Sequence, residues 1–313
     1  MGSVTTVTGP VAADALGTTL THEHIFVDLG DWAGLNGKLD DPELARRELS
    51  RFKDAGGGTV VDVTTRGIRI RDHQRLLPEK HPIMLRRVAQ ETGLNIVMGA
   101  GWYVEWTHEE RLSRMTTDEI ADELVRDITE GVDGTDVCAG ILGEIGVGRN
   151  WVSPGEERVL RAVARAHLQT GVSILTHTGG PLIGLKQLDI LGEEGVDPGR
   201  VIIGHCHSHP DHEYHAEIAR RGAFVSFDRL GRPDPTEHGL HVKMIGRMIE
   251  AGLAEHLLFS HDVCLREDYV AYGGKGYEFV ARGLREDPAL DLTDDQFYQI
   301  TVDNPRRALT GEG

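Results

Sequence analysis

The stretch Leu20–Phe26, "LTHEHIF", places two histidines one residue apart inside a run that otherwise leans toward apolar β structure. Side chains on a strand alternate between its two faces, so His22 and His24 project to the same side. If that side faces a core, two imidazoles are being buried together, which needs a compensating partner. The reading of the fold therefore turns on what kind of strand this is and on what the other strands bring to meet it.

Seven further short apolar runs follow: "GTVVDVTT" (58–65), "LNIVMGAG" (94–101), "AGILGEIG" (139–146), "VSILTHTG" (172–179), "RVIIGHCH" (200–207), "AFVSFDR" (223–229) and "HLLFSHDV" (256–263). With "TTLTHEHIFV" (18–27) they make eight strands, separated by amphipathic stretches with legible helix starts. Thr116 with Glu119, and Ser153 with Pro154 and Glu156, form capping boxes. The second opens a helix whose apolar stripe is Leu160, Val163, Ala164 and Leu168, ending near Thr170-Gly171. Alternating strands and helices imply the α/β class. No G-x-G-x-x-G turn follows the first strand, so a (β/α)8 TIM barrel fits better than a doubly wound sheet. A single domain over 1–313 is expected, with the first 16 residues forming a short N-terminal β-hairpin that closes the far end.

Composition excludes several other roles. The chain is 39% hydrophobic and 27% charged, enough to bury a full core. A formal charge of −17, with the basic residues scattered, would repel nucleic acid and anionic membrane surfaces. Cys138, Cys206 and Cys264 are an odd number at wide spacing, which suggests reduced thiols. The N-terminus lacks the basic and apolar regions of a signal peptide, and no run is long enough to span a membrane; a cytoplasmic location is expected.

In such a barrel functional groups sit at the C-terminal ends of the strands. There strand one carries His22 and His24, strand four Glu144, strand five His177, strand six His205 and strand eight Asp262. The successive separations, 33 residues from Glu144 to His177, 28 from His177 to His205 and 57 from His205 to Asp262, correspond to one, one and two βα units of roughly 30 residues each. Four imidazoles and two carboxylates suit divalent metal: zinc first, but also nickel, cobalt or manganese. Six ligands exceed one tetrahedral zinc but supply two metals if a carboxylate bridges.

The motifs THEH, GEIG, THTG, GHC and SHD, in this order and spacing, resemble those of the phosphotriesterase family of the amidohydrolase superfamily. The resemblance spans nearly the whole chain. It implies a binuclear centre in which His22, His24 and Asp262 hold one metal, while His177 and His205 hold the other. A strand-four side chain and a hydroxide are shared between them. Phosphotriesterases and many lactonases of this family bridge with a carboxylated lysine. Here no lysine occurs between Lys80 and Lys186, and Glu144 stands in its place. That is similar to the branch containing the phosphotriesterase homology and phosphotriesterase-related proteins, as are "GAGWYVEWTH" (99–108) and "YGGKGY" (272–277). Ser208 stands where phosphotriesterases have an acidic relay residue, and Arg229 stands where they have a histidine and the lactonases an arginine.

These parts imply a metal-dependent hydrolase in which a bridging hydroxide attacks a carboxylic ester, lactone or amide, as a lactonase or amidase would. Asp262 would move the proton to the leaving atom. Tyr103, after strand three, would hydrogen-bond hydroxide or substrate, or else serve structure. Arg229 would grip a planar anion, or else pair with Asp228 or a loop carboxylate. Trp102 and Trp106 would wall the pocket or pack the lid, and residues 265–277 read as a long loop where lids form. His207, His209, His212 and His215 read as a solvated face, and Cys206, between two histidines, as a core thiol turned away from the ligands. Two alternatives stand beside the favoured reading: a phosphotriesterase of the aryldialkylphosphatase type, and a metalloprotein that binds a small ligand without turnover. The partner is then a small-molecule substrate, and family members are often homodimers.

Overall fold

The computed structural model describes residues 2–70, 78–232 and 234–311. Among them, eight parallel strands form one sheet in sequence order: β1 Thr18–Glu23, β2 Gly57–Asp62, β3 Asn95–Ala100, β4 Ile141–Val147, β5 Ile174–Thr178, β6 Val201–Ile203, β7 Phe224–Phe227 and β8 Leu257–Phe259. Each pairs with the next through a parallel ladder. The sheet curls into a nearly closed (β/α)8 barrel, and all eight strands lie within the runs read from the sequence or within one residue of them.

The helices that cover the barrel show why they start and stop. α1 (Pro42–Asp54) is capped by Asp41, whose carboxylate accepts from the Glu43 and Leu44 amides. α2 is His81–Thr92 and α3 is Thr117–Thr129, which opens on the expected Thr116/Glu119 capping box. α4 (Pro154–Thr170) opens on the Ser153/Glu156 box and ends at Gly171, whose φ of 74° favours glycine. One residue of its expected stripe is misplaced: Leu168 is exposed, and His167 is buried beside it with Nδ1 2.7 Å from the Val172 carbonyl.

Two apolar layers result. Val97, Ile141, Leu175, Ile202, Phe224 and Leu258 fill the barrel interior together with Val4 and Leu16. Val4 comes from the antiparallel hairpin Ser3–Thr6 and Gly9–Ala12, which therefore plugs the end opposite the strands' C-termini, as expected. The larger layer lies between sheet and helices.

The first and last strands meet differently from the others. Instead of a ladder, the Asp262 amide donates to the His22 carbonyl (3.2 Å) and the His22 amide to Ser260 Oγ (3.0 Å). Glu23, fully buried, accepts from the Ser260 hydroxyl (2.8 Å), the His261 amide (2.9 Å), His261 Nδ1 (2.8 Å) and the Val263 amide (2.9 Å). His261 Nε2 in turn accepts from the Val280 amide, so its ring is oriented at both nitrogens.

The segment after β8 differs from a free lid. Glu48 of α1 accepts from the Val270 and Ala271 amides (2.9 and 3.0 Å), Arg266 donates to the Lys38 carbonyl (2.8 Å), and Arg232 pairs with Asp268. Tyr269 and Tyr277 are buried beneath it.

Glu23→Gln swaps one acceptor oxygen for a donor amide among four donors. A loss of about 3 kcal/mol in folding stability is expected, because unsatisfied buried donors cost roughly 1–3 kcal/mol each. Chemical denaturation measures it, and an unchanged midpoint would show that the seam does not depend on this carboxylate.

Candidate metal centre

The six residues singled out by spacing meet at the C-terminal mouth of the barrel. His22 lies in β1, Glu144 in β4 and His177 in β5. His24, His205 and Asp262 lie just beyond the ends of β1, β6 and β8. Of these, His205 and Asp262 occupy left-handed backbone (φ 54° and 51°), which non-glycine residues rarely adopt. The chain turns sharply at those points, so the two side chains reach the axis from outside the ladder. Gly204 lets it do so: a Cβ there would lie 2.3 Å from the Thr176 carbonyl oxygen and 3.4 Å from the His22 ring.

Glu144 Oε2 lies 3.4 Å from His22 Nε2 and 3.6 Å from His205 Nε2, and Oε1 lies 3.4 Å from His24 Nε2. Asp262 Oδ1 is 3.3 Å from His24 Nε2 and 3.9 Å from His22 Nε2. The donor atoms of His22, His24 and Glu144 fall within 4.8 Å of one another, as do those of Glu144, His177 and His205. One carboxylate thus belongs to both groups.

The charges in this cluster act strongly on each other. Burial alone would drive the His24 pKa down, but Asp262 and Glu144 reverse that and hold it up to about 9. His205 is likewise opposed by burial and raised to about 9 by Asp228. His22 is raised well above its ordinary value against burial, by Asp228 and Glu144. His177 goes the other way: burial, then the His205 charge, lowers it to about 4. Burial opposes ionisation of Glu144 and Asp262, yet the surrounding imidazoles keep both well below the usual carboxylate range.

The neighbours of these groups correct several expectations. Asp228 is not a surface partner for Arg229. It is fully buried, accepts from the His205 amide (2.8 Å), and lies 2.9 Å from His205 Nδ1 and 3.2 Å from His22 Nδ1. His207 is no solvated histidine, since its Nδ1 is 3.1 Å from Asp228. His215 is buried, with Nε2 2.8 Å from the Cys206 carbonyl. Cys206 is a buried thiol facing the Ile203 carbonyl, as expected. The reason is different, because β6 has already ended and Cys206–Ser208 is a tight turn without strand alternation.

Tyr103 Oη sits 2.9 Å from His177 Nε2, and burial followed by the Glu144 and Asp262 charges pushes its phenol pKa well up. Arg229 is about one-third exposed at the mouth, its nearest carboxylate oxygen being Asp262 Oδ2 at 3.9 Å. Trp102 is buried under Arg66, and Trp106 stacks on Arg149; Trp32 instead packs edge-on against Tyr103, with centroids 6.1 Å apart. The signal that could have revealed Asp228 was its place at the end of a strand that supplies no ligand.

Buried His22 Nε2 and Glu144 Oε2 have no hydrogen-bond partner, their approach being too long and misaligned. A cation between them would satisfy both, and a set of imidazoles and carboxylates is the right chemistry for a borderline divalent ion. The residues fit the group.

Comparison with known proteins agrees with this geometry. The sequence profile of the Phosphotriesterase family matches residues 2–309. The chain is 35% identical to the phosphotriesterase homology protein of Mycobacterium tuberculosis, covering 100% of this chain and 99% of that one. It is 29% identical to the N-acetyltaurine hydrolase of Danio rerio, covering 99% and 98%. Among solved structures, a resiniferatoxin-binding protein from Rhodobacter sphaeroides aligns with a TM-score of 0.89 at 32% identity, covering 100% and 96%. A lactonase from Listeria monocytogenes aligns at 0.88 and 27%, covering 99% and 100%.

Stripping divalent ions with a chelator is expected to lower the thermal unfolding midpoint, and added Zn2+ to restore it. At a hundredfold excess over Kd, one ion contributes about 2.7 kcal/mol. A midpoint indifferent to both treatments would mean that these groups hold no cation.

Proposed function

Because this chain belongs to the phosphotriesterase family, we propose that it is a hydrolase using two divalent cations to cleave a carboxylic ester, lactone or amide. The observation that carries the reading is Glu144, one buried carboxylate common to two groups of imidazoles. His22, His24 and Asp262 would hold one ion, His177 and His205 the other, and Glu144 both. Bound there, two ions, zinc foremost, would lower the pKa of a shared water and polarise the scissile group.

The chain's own residues supply the rest. Asp262 Oδ2, turned toward the mouth and Arg229, takes up the proton released in attack and returns it to the leaving oxygen or nitrogen. Tyr103 keeps its proton, since its phenol pKa lies well above the ordinary value, and donates a hydrogen bond from Oη to the substrate oxygen. Arg229 orients a planar anionic group such as a carboxylate or sulfonate. The ring of Trp32 beside Tyr103 walls the same side.

The names of relatives that cleave an amide and a lactone support carbonyl substrates. Phosphotriesters are the poorer fit, since the acidic relay position holds Ser208, which is exposed in a turn.

Elemental analysis of the purified chain, followed by a screen of lactones, N-acyl amino acids, N-acyl sulfonates and aryl esters, tests the proposal. About two ions per chain are expected, with turnover of a carbonyl substrate reduced about 10²- to 10⁴-fold in Asp262→Asn. Full metal content with no hydrolysis in any class would favour a ligand-binding protein instead. Glu144→Gln is expected to lose the second ion, and a variant keeping two ions and full activity would refute the shared-carboxylate centre. Arg229→Ala should reduce kcat/KM on anionic substrates by about 10- to 100-fold, the equivalent of a charged hydrogen bond worth roughly 1.5–3 kcal/mol, and spare neutral lactones. Equal losses on both would remove Arg229 from substrate recognition.

A further inference from the structure

We propose that Asp228 is a positioning residue that orients one ligand ring in each half of the centre, so that the two cation sites depend on a single buried carboxylate. The inference rests on the two-cation reading above. Strand β7 supplies none of the six donor residues, yet the residue just beyond its end lies beneath the site. Asp228 is fully buried and its position is set by the backbone, with Oδ2 accepting from the His205 amide at 2.8 Å. His205 Nδ1 lies 2.9 Å from its Oδ1 and His22 Nδ1 lies 3.2 Å from its Oδ2. His207 Nδ1 completes the surroundings at 3.1 Å from Oδ1.

Both ligand rings turn Nδ1 toward Asp228 and Nε2 toward Glu144 at 3.4 and 3.6 Å, His205 through a hydrogen bond and His22 through a 3.2 Å contact that falls short of hydrogen-bond alignment without a cation to set the ring. A ring whose Nδ1–H faces a carboxylate keeps its Nε2 lone pair free for a cation, and such outer partners fix both tautomer and ring angle. His22 and His205 belong to different halves of the centre, and their ring centroids are only 4.7 Å apart. A shift of the one carboxylate reorients both.

His22, His205 and Asp228 could be read as a cation site of their own, since their donor atoms also cluster. Both Nε2 atoms face Glu144 instead, and the atoms turned to Asp228 are the Nδ1 pair. The remaining rings are held independently: His24 Nδ1 meets Thr64 Oγ1 at 2.9 Å, and His177 Nδ1 faces the Val147 carbonyl at 3.3 Å. The geometry thus separates a partner common to both halves from partners that serve one.

The test equilibrates the chain with Zn2+ against graded chelator and counts bound ions, with Co2+ absorption reporting ligand geometry. In Asp228→Asn both equivalents are expected to bind roughly 10- to 100-fold more weakly. Thr64→Val should weaken only the equivalent that includes His24. The proposal is overturned if Asp228→Asn holds both ions within threefold of the parent, or loses affinity for one alone. A parent that binds fewer than two ions refutes the two-cation reading itself, before any variant is made. Should Asp228→Asn fail to fold, nitrogen-detected NMR of the Zn2+-loaded parent gives the same decision. Protected Nδ1 protons on both His22 and His205 are expected, and a proton on Nε2 of either ring overturns the assignment.

Discussion

A parallel barrel must close between its first and last strands, and here side chains make most of the closure. Glu23 gathers four donors from the residues after β8, while the His22 carbonyl accepts from the Asp262 amide. The residues flanking this seam, His22 and His24 on one side and Asp262 on the other, are also the donors proposed for the first ion. Closing the barrel and assembling that half of the centre are thus one event. Glu23, between two ligands in sequence, thereby ties the residues on either side of Asp262 to the strand that carries His22.

The other half is assembled by a different device. β6 is only three residues long, and the chain leaves it through Gly204 into the left-handed backbone of His205. Such a conformation costs of order 1 kcal/mol and persists only where its surroundings over-determine it. The Asp228 carboxylate, which accepts from the His205 amide, does so here. Asp262, the other left-handed ligand, is held by the hydrogen bond its amide donates across the seam. The ligands and their two left-handed turns thus lie at one end of the barrel, and the hairpin packs on the apolar interior at the other.

Much of this was legible from residue order. The eight runs, both capping boxes and the convergence of the six donors follow from local patterns and from repetition at one βα unit. What was not legible depends on distance or on where strands stop. In the sequence Asp228 reads only as a partner for its neighbour Arg229, because nothing local shows that β7 delivers it beneath two rings from other strands. His207 and His215 look like surface histidines until the turn after β6 folds them inward. Leu168 fits a helical stripe, but the loop carbonyl of Val172 draws His167 into that place instead. Proximity in sequence to Tyr103 makes Trp102 and Trp106 read as pocket walls or as lid packing; Trp102 is buried, and Trp32, from a different loop, is the one beside Tyr103.

The segment after β8 carries a consequence for kinetics. Glu48 holds the Val270 and Ala271 amides, and Arg266 and Arg232 fasten the same stretch at two more points. Its conformational entropy is given up when the chain folds, so a ligand entering the mouth need not order it. In enzymes with mobile covers, opening and product release often limit turnover. A segment fastened at three points is built to keep its shape between turnovers, so the cost of ordering it falls on folding and not on each binding event.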